Sequence, residues 1–598
     1  MVKIYSPKIL FAFFISFLFA TSLFISCEKA DDGKQIIGTY PDLTTQVRSS
    51  VSGFITDEND QAVSLANVQV GAVSITTDKY GYFEATNVDV VKNAAVVTVS
   101  KTGYFKGIKT YIAEDGKSAF FRIKLVRKTN AGTINGTAGG VVTLSNGLSI
   151  TLPANAVVNA TTNVAYTGTV NIVAHWLNPT ATDLPNTMPG DLRGINTNGN
   201  LQLLTTYGMA AIELTGSGGE LLQIATGKKA TLSLPIPSSL SSSAPANIPL
   251  WYFDEAKGLW KEEGAATKTG NNYVGDVSHF SFWNVDLSEN FIELSATLVT
   301  DRNNQPLQNA RVKVSVVGNP ANCRYGYTNS SGYVSGAVPA NSQLLFEVFK
   351  NSNCSTSNVV VYSRNVTTTN VNISLGTIIV PFSNSNNLAL ITGTVVNCTN
   401  APVTNGYVMV LSGNSYTRLN LTNTGTYSGI ISLCSNTATP VTFIAEDLAT
   451  NMTSGPVIFN IVPGNNTVPG IQVCSAGAQE YIHLIKNGVT QNYNYLTVSN
   501  YTTTSYGTFF YADPTMTIPG GHIQFTQAGI GLGSVQTLIS SSIGSVNLVM
   551  NNPPVNVTIT EFGAIGQYIA GNYSGSFTQP PSNTQYAITC NFRFKRYY

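Results

Sequence analysis

One spaced pattern occurs three times in the chain, and it limits the fold more than any other feature. In the first copy Asp57-Glu58-Asn59-Asp60-Gln61-Ala62-Val63 precedes Ala66-Asn67-Val68-Gln69-Val70. In the second, Asp301-Arg302-Asn303-Asn304-Gln305-Pro306-Leu307 precedes Ala310-Arg311-Val312-Lys313-Val314. In the third, Asn397 leads to Pro402-Val403 and then Gly406-Tyr407-Val408-Met409-Val410. The Asp or Asn stands nine residues before the small residue in every copy. An Asp or Asn side chain accepts from nearby backbone amides and shapes a turn, and Pro presets φ within it. Alternating Val then starts a strand with one buried face. A second turn follows at Thr77-Asp78-Lys79-Tyr80-Gly81-Tyr82-Phe83 and at Thr328-Asn329-Ser330-Ser331-Gly332-Tyr333-Val334; the third copy keeps Thr422, Gly425 and Tyr427. Glycine is what a turn needing positive φ selects.

This constellation resembles the carboxypeptidase-regulatory-like domain, and Thr102-Gly103-Tyr104, late in the first copy, fits that family's glycine–tyrosine turn. The resemblance implies a small seven-stranded β-sandwich that serves as a spacer, folding aid or binding module. Calcium binding by Asp57, Asn59 and Asp60 is the alternative reading of the first turn. That loop lacks the D-x-[DN]-x-[DN]-G run and distal Glu of a known calcium loop, so turn capping is the expectation.

Composition agrees with many short strands. Charged residues make up 11% of the 598-residue chain, against about 25% in ordinary soluble domains. There are 28 Tyr and 27 Phe, and the net charge of +1 leaves no electrostatic footprint for nucleic acid. At roughly 150 residues per domain this length implies about four domains, and more if they are short β-domains.

The N-terminus sets an address. Lys3 and Lys8 precede a nearly unbroken apolar run from Ile9 to Ile25, a positive segment followed by a signal-peptide core. The run ends in Phe24-Ile25-Ser26-Cys27. That ending resembles the lipobox of bacterial lipoproteins, with Phe24 where Leu is usual, and implies that Cys27 is acylated and becomes the mature N-terminus. Each buried CH₂ contributes about 0.8 kcal/mol, so several acyl chains anchor durably. The alternatives are a short membrane anchor or a signal cleaved elsewhere. Glu28-Lys29-Ala30-Asp31-Asp32 is similar to the export tether of surface-displayed lipoproteins in some Gram-negative bacteria.

Between the first two copies, Gly139-Gly140-Val141-Val142-Thr143-Leu144 opens a longer segment that resembles the β-sandwich domain shared by ankyrins and netrin receptors. Its close carries Pro249-Leu250-Trp251-Tyr252-Phe253-Asp254, Gly258-Leu259-Trp260 and His279-Phe280-Ser281-Phe282-Trp283-Asn284. This close resembles an extracellular domain of animal membrane proteins and their bacterial relatives. Trp251, Trp260 and Trp283 are expected in core or hairpin contacts, with stacking on a glycan as the alternative. After residue 476, Ile559-Thr560-Glu561-Phe562-Gly563, Gly566 to Gly575 and the alternating Asn591-Phe592-Arg593-Phe594-Lys595-Arg596 read as strands. The pattern resembles the C-terminal domain of bacterial surface lipoproteins.

Beyond Cys27 there are six cysteines: Cys323, Cys354, Cys398, Cys434, Cys474 and Cys590. Fifteen connectivities are possible. Cys323 and Cys354 share the second module and form the favoured disulfide, whereas Cys398, Cys434 and Cys474 compete within the third. No C-x-x-C suggests a zinc knuckle. The four histidines, His175, His279, His483 and His522, show no metal-hydrolase spacing. Asp276-Val277-Ser278-His279 names the residue types of a catalytic triad, but strand neighbours point to opposite faces. Gly529-Ile530-Gly531-Leu532-Gly533 lacks the strand-then-helix frame of a phosphate loop.

The resulting expectation is an all-β chain: tandem immunoglobulin-like or prealbumin-like β-sandwiches after a lipoprotein signal peptide. The segments are signal 1–26, linker 27–48, regulatory-like domain 49–127, insert sandwich 128–288, second and third regulatory-like sandwiches 289–383 and 384–475, and a C-terminal β domain 476–598. It is expected to be a non-catalytic outer-membrane protein held by acylated Cys27, without cofactor, metal or nucleic acid. Its modules form a stalk that presents loops to the cell exterior for binding a glycan or surface protein. A structural or assembly role in the envelope is the alternative, with a periplasmic orientation in that case, and a glycan hydrolase is the third reading. Binding implies an exposed aromatic platform, envelope structure implies buried aromatics, and hydrolysis implies two converging carboxylates.

Overall fold

The computed structural model describes residues 40–349 except 303, 359–381, 387–473 except 414 and 451, and 475–595 except 477–480, 487–488, 494–496, 503–504, 513–520, 532, 544–545, 552, 564–567 and 581–582. Strand is the dominant regular structure of the described chain, and its helical elements are short: Leu184–Thr187 and a 3-10 turn at Ser238–Leu240. The all-β, tandem-sandwich expectation is met.

In the first module β1 (Gln46–Thr56) lies between antiparallel β4 (Tyr82–Val91) and parallel β7 (Ser118–Lys124). The facing sheet has the order β3 (Val73–Thr76), β2 (Asn67–Val70), β5 (Ala95–Ser100), β6 (Gly107–Tyr111). The second module repeats this plan. Phe291–Thr300 takes the place of β1, between Tyr333–Pro339 and parallel Ile373–Val380, and Arg311–Val316 is paired as β2 is. The third does so again, with Leu388–Asn397 beside parallel Gly464–Thr467 and Ile471–Val473. Every copy is therefore a sandwich with a central strand that pairs in parallel with the last.

The repeated residues explain why. Asp57 Oδ1 accepts from the amides of Asn59 and Gln61, both at 2.9 Å, and Asn397 Oδ1 accepts from Thr399 and Ala401 at 3.0 Å. Asp78 and Asn329 do the same for the second turn. At that turn the Gly81, Gly332 and Gly425 carbonyls accept from Ile55, Leu298 and Val395, fastening the turn to the first strand. Thr77 and Thr328, both buried, tie the two turns together. Thr77 Oγ1 accepts from the Ala66 amide at 2.8 Å and donates to the Val63 carbonyl at 2.7 Å; Thr328 makes the same pair with Ala310 and Leu307. Capping thus accounts for Asp57, Asp78, Asn329 and Asn397, and Asp60 pairs with Lys124 at 2.8 Å.

Thirteen strands between Asn130 and Glu289 hydrogen-bond into one sheet system, with the fifteen-residue strand Leu201–Thr215 near its centre. Ile150, Leu214, Leu232, Leu250, Tyr273 and Trp283 are part of its main core. The C-terminal region forms a ten-stranded sheet system. There Phe509, Phe525, Phe592 and Phe594 stack with centroids 5.0–5.6 Å apart, while Arg593 on the opposite face covers Tyr568. The alternation expected of the last strand is present.

Gly81 sits at φ +73° with the Ile55 carbonyl oxygen 2.3 Å from where a Cβ would stand; Gly116, at φ +70°, has open space there. Both substitutions to Ala incur left-handed strain of about 1 kcal/mol. Gly81→Ala adds a backbone collision, so its denaturation midpoint should fall well below that of Gly116→Ala. Equal losses would show that close packing does not fix this turn.

Candidate functional site

The modules do not hang in a line. Strand Gly406–Ser412 of the third module is buried on both faces: Val408 and Val410 enter its own core, and Tyr407 and Met409 face the first module. There they meet Phe54, Tyr80, Tyr82 and Phe120. Cations rivet this contact. Arg418 lies over the rings of Tyr82 and Tyr407, 4.5 and 4.1 Å from their centroids. Arg122 lies over Phe54, Phe120 and Tyr327, and donates to Ser415 Oγ at 3.2 Å. Lys79 pairs with Glu446. The expected stalk is thereby corrected: outward apolar faces on the first and third modules cover one another.

The insert joins the same body. Lys109 donates to the carbonyls of Pro185 and Met188 at 2.7 and 2.6 Å, and Thr110 Oγ1 to that of Gly258 at 2.5 Å. Burial lowers the Lys109 ammonium to a pKa of about 7. Arg193 pairs with Asp191 at 2.7 Å and donates to the Asn93 carbonyl of the first module. The second module closes the group: Asn329 donates to the Ser118 carbonyl at 2.7 Å, Tyr333 donates to Glu114, and Arg324 donates to the Leu204 carbonyl at 2.8 Å.

Where the first module, the insert and the second module meet, they enclose a cavity of about 500 Å³. This lies within the usual range of small-molecule sites, roughly 300–1,000 Å³. Its lining mixes aromatic rings (Tyr111, Tyr327, Tyr333) with hydroxyl and amide groups (Ser118, Thr206, Asn322). Lys109, Lys117, Arg122 and Arg324 supply four cationic groups against the carboxylates Glu114 and Asp191. Asp191 is already neutralised by Arg193. Burial pushes the guanidinium pKa of both Arg122 and Arg324 down.

The residues singled out from sequence are distributed differently. Trp251, Trp260 and Trp283 have no exposed surface, which overturns the glycan-stacking alternative. Trp251 and Trp260 pack with Phe105 and Ile108 of the first module, and the Trp283 indole donates to the His279 carbonyl at 2.9 Å. Ser278 and His279 lie in a bend rather than on a strand. Ser278 donates to Glu263, while His279 packs edge-on against Tyr252. Gly529, Gly531 and Gly533 fall between the paired strands Gly521–Thr526 and Val535–Ile543, in a hairpin.

Cys323 is a free thiol, so the favoured disulfide with Cys354 is corrected. Its strand, Asn319–Tyr327, forms one edge of the sheet, and the chain leaves Phe349 two strands away. Cys398 and Cys434 are disulfide-bonded, and Cys590 is a buried thiol. Cys27, Cys354 and Cys474 lie outside the described residues. Among the described residues no helix is long and apolar enough to cross a membrane.

The cavity itself escaped the sequence reading. The contact between the first and third modules left one legible trace, Tyr407 and Met409, where the other copies carry Asn67 and Gln69 or Arg311 and Lys313.

No family model matches the chain, and no curated protein does. Among solved structures it is similar to the Bacillus anthracis TIE protein, at 8% identity over 71% of this chain, with a TM-score of 0.15. The chain spans about half of that protein, 51%. It is also similar to the shaft pilin SpaA of Lactobacillus rhamnosus GG, at 11% identity over 31% of this chain and 98% of the pilin, TM-score 0.17. A third similarity is to a protein of Bacteroides uniformis described as a putative carbohydrate binding protein, at 13% identity over 35% and 98%, TM-score 0.12.

Beside the cavity, burial and then the nearby Glu114 raise Glu293 from 4.5 to about 7, against the opposing charges of Arg193 and Lys92. A carboxyl whose folded pKa is raised stabilises the fold fully below its unfolded pKa, and that contribution is lost as pH rises through the folded value. Thermal stability should therefore lose this contribution between about pH 4.5 and 7. Glu293→Gln should make the pH 5-to-8 change in Tm measurably less negative than in the wild type. An identical pH profile would contradict the assignment.

Proposed function

We propose that this is a non-catalytic, lipid-anchored protein of the outer membrane whose β-sandwich modules form a ligand-binding body at the cell exterior. Acylated Cys27 holds it to the membrane, and the residues from 28 up to the first strand, which begins at Gln46, serve as the tether. The observation that carries the binding reading is the cavity of about 500 Å³ between three domains, lined by rings, hydroxyls and more cations than carboxylates. A glycan or a segment of a surface protein suits such a lining. The cavity takes over the role first given to an exposed aromatic platform.

A second reading, structural or assembly work in the envelope, is favoured by a specific observation. Among the described residues Tyr40 is the one strongly exposed aromatic among the large hydrophobics, at 56%. Glycan hydrolysis finds less support, because the two carboxylates lining the cavity are engaged, Asp191 by Arg193 and Glu114 by Tyr333.

Protease shaving of intact cells tests the address. The native chain should be cut on intact cells, and Cys27→Ala should no longer fractionate with membranes. A chain that survives until the outer membrane is opened would face the periplasm, and envelope assembly would replace surface binding.

A further inference from the structure

The charge around the cavity is more specific than its size. A buried cation without an opposite partner loses several kcal/mol of hydration, so buried arginines ordinarily face carboxylates. Arg122 and Arg324 do not: among the described residues neither has a carboxylate within 4.0 Å. Their hydrogen bonds run to neutral oxygens, Ser415 and Tyr416 for Arg122, and Asn322, Cys323, Leu204 and Thr205 for Arg324. The Nε of each is buried with no partner. Lys117, at the exposed rim over the Tyr333 ring, adds a third cation, and Glu114 is the one lining carboxylate not already paired with a cation. Glu289, Asp286 and Asp191 act on Arg324, and Asp60 on Arg122, from beyond 4.0 Å, and the lining still carries more cations than carboxylates, so the cavity keeps an excess of positive charge.

The remaining lining fixes the rest of the ligand. Tyr111, Tyr327 and Tyr333 offer ring faces, while hydroxyl and amide groups such as Ser118, Thr206 and Asn322 offer donors and acceptors. A ring with apolar C–H faces and peripheral hydroxyls matches both, and a carboxylate matches the arginines. We infer that the cavity binds a small carboxylated sugar, a uronic-acid unit free or at the end of a chain, its carboxylate in the field of Arg122, Arg324 and Lys117. This rests on the reading that the cavity is a ligand site, and it adds the charge and class of the ligand.

Calorimetric titration of the mature chain with glucuronate, glucose and acetate tests it. Glucuronate should bind about tenfold or more tightly than either partial mimic, and its affinity should weaken as salt rises from 50 to 500 mM, values chosen for the titration. Arg324→Gln should lower glucuronate affinity about tenfold and leave glucose unchanged. Should that variant fail to fold, Lys117→Gln, at an exposed position, should lower it about two- to threefold and flatten the salt dependence. If glucose binds as well as glucuronate, the charge assignment is overturned while the ligand site stands. If acetate alone matches glucuronate, the sugar is overturned. If none of the three binds and a library of neutral and basic oligosaccharides and peptides gives nothing, the cavity reading falls as well.

Discussion

Two arginines held against aromatic rings carry the architecture. Each sandwich closes its own core with alternating Val, Ile and Leu, and burial of each such side chain contributes about 1.5–3 kcal/mol. That suffices to fold a module and says nothing about how modules meet. Arg418 between Tyr82 and Tyr407, and Arg122 among Phe54, Phe120 and Tyr327, supply the missing rule. A guanidinium is more weakly hydrated than an ammonium and stacks on ring faces, so it tolerates a dry junction better than Lys does. The second module docks on the first through Asn329 and Tyr333 and on the insert through Arg324, and the cavity lies where these three meet.

The turns make the clamp possible. Tyr80 and Tyr82 flank Gly81, whose positive φ and contact with Ile55 fix the direction in which the two rings leave the sandwich. Thr77 holds the same turn to its partner loop. The equivalent turn in the second module places Asn329 and Tyr333 on the first module, so one repeated device serves twice as an interface. The third copy has Leu421 in place of Thr, with its amide bonded to Gly406, and this turn makes no comparable bridge. Repetition therefore conserves the local fold while outward residues diverge to set the assembly.

The modules were legible in the sequence because they rest on local chemistry: an Asp or Asn capping a turn, a glycine at positive φ, and Val at every second position. The alternating Phe592 and Phe594 were legible for the same reason. The tryptophans were ambiguous, since a large ring serves a core or a sugar equally well, and only their neighbours decide: Phe105, Ile108 and Leu204 for Trp251 and Trp260, and the insert's main core for Trp283. The cavity was not legible. Arg122 and Arg324 stand about two hundred residues apart and look like ordinary surface charges. Their burial depends on how whole domains dock, which no short spacing encodes. The disulfide expectation failed for a related reason: Cys323 and Cys354 share a module, but proximity in sequence does not place Cys323 on the strand from which the chain departs.

The central claim is that the first and third modules are in contact. A zero-length carbodiimide joins a carboxylate to an amine only where the two already touch. Applied to the native protein and read by mass spectrometry, it should give an amide link between Lys79 and Glu446, 367 residues apart in the chain. A link between Lys106 and Glu255 should accompany it, joining the first module to the insert. Links confined within single modules, with none between Lys79 and Glu446, would show an open string and contradict the account.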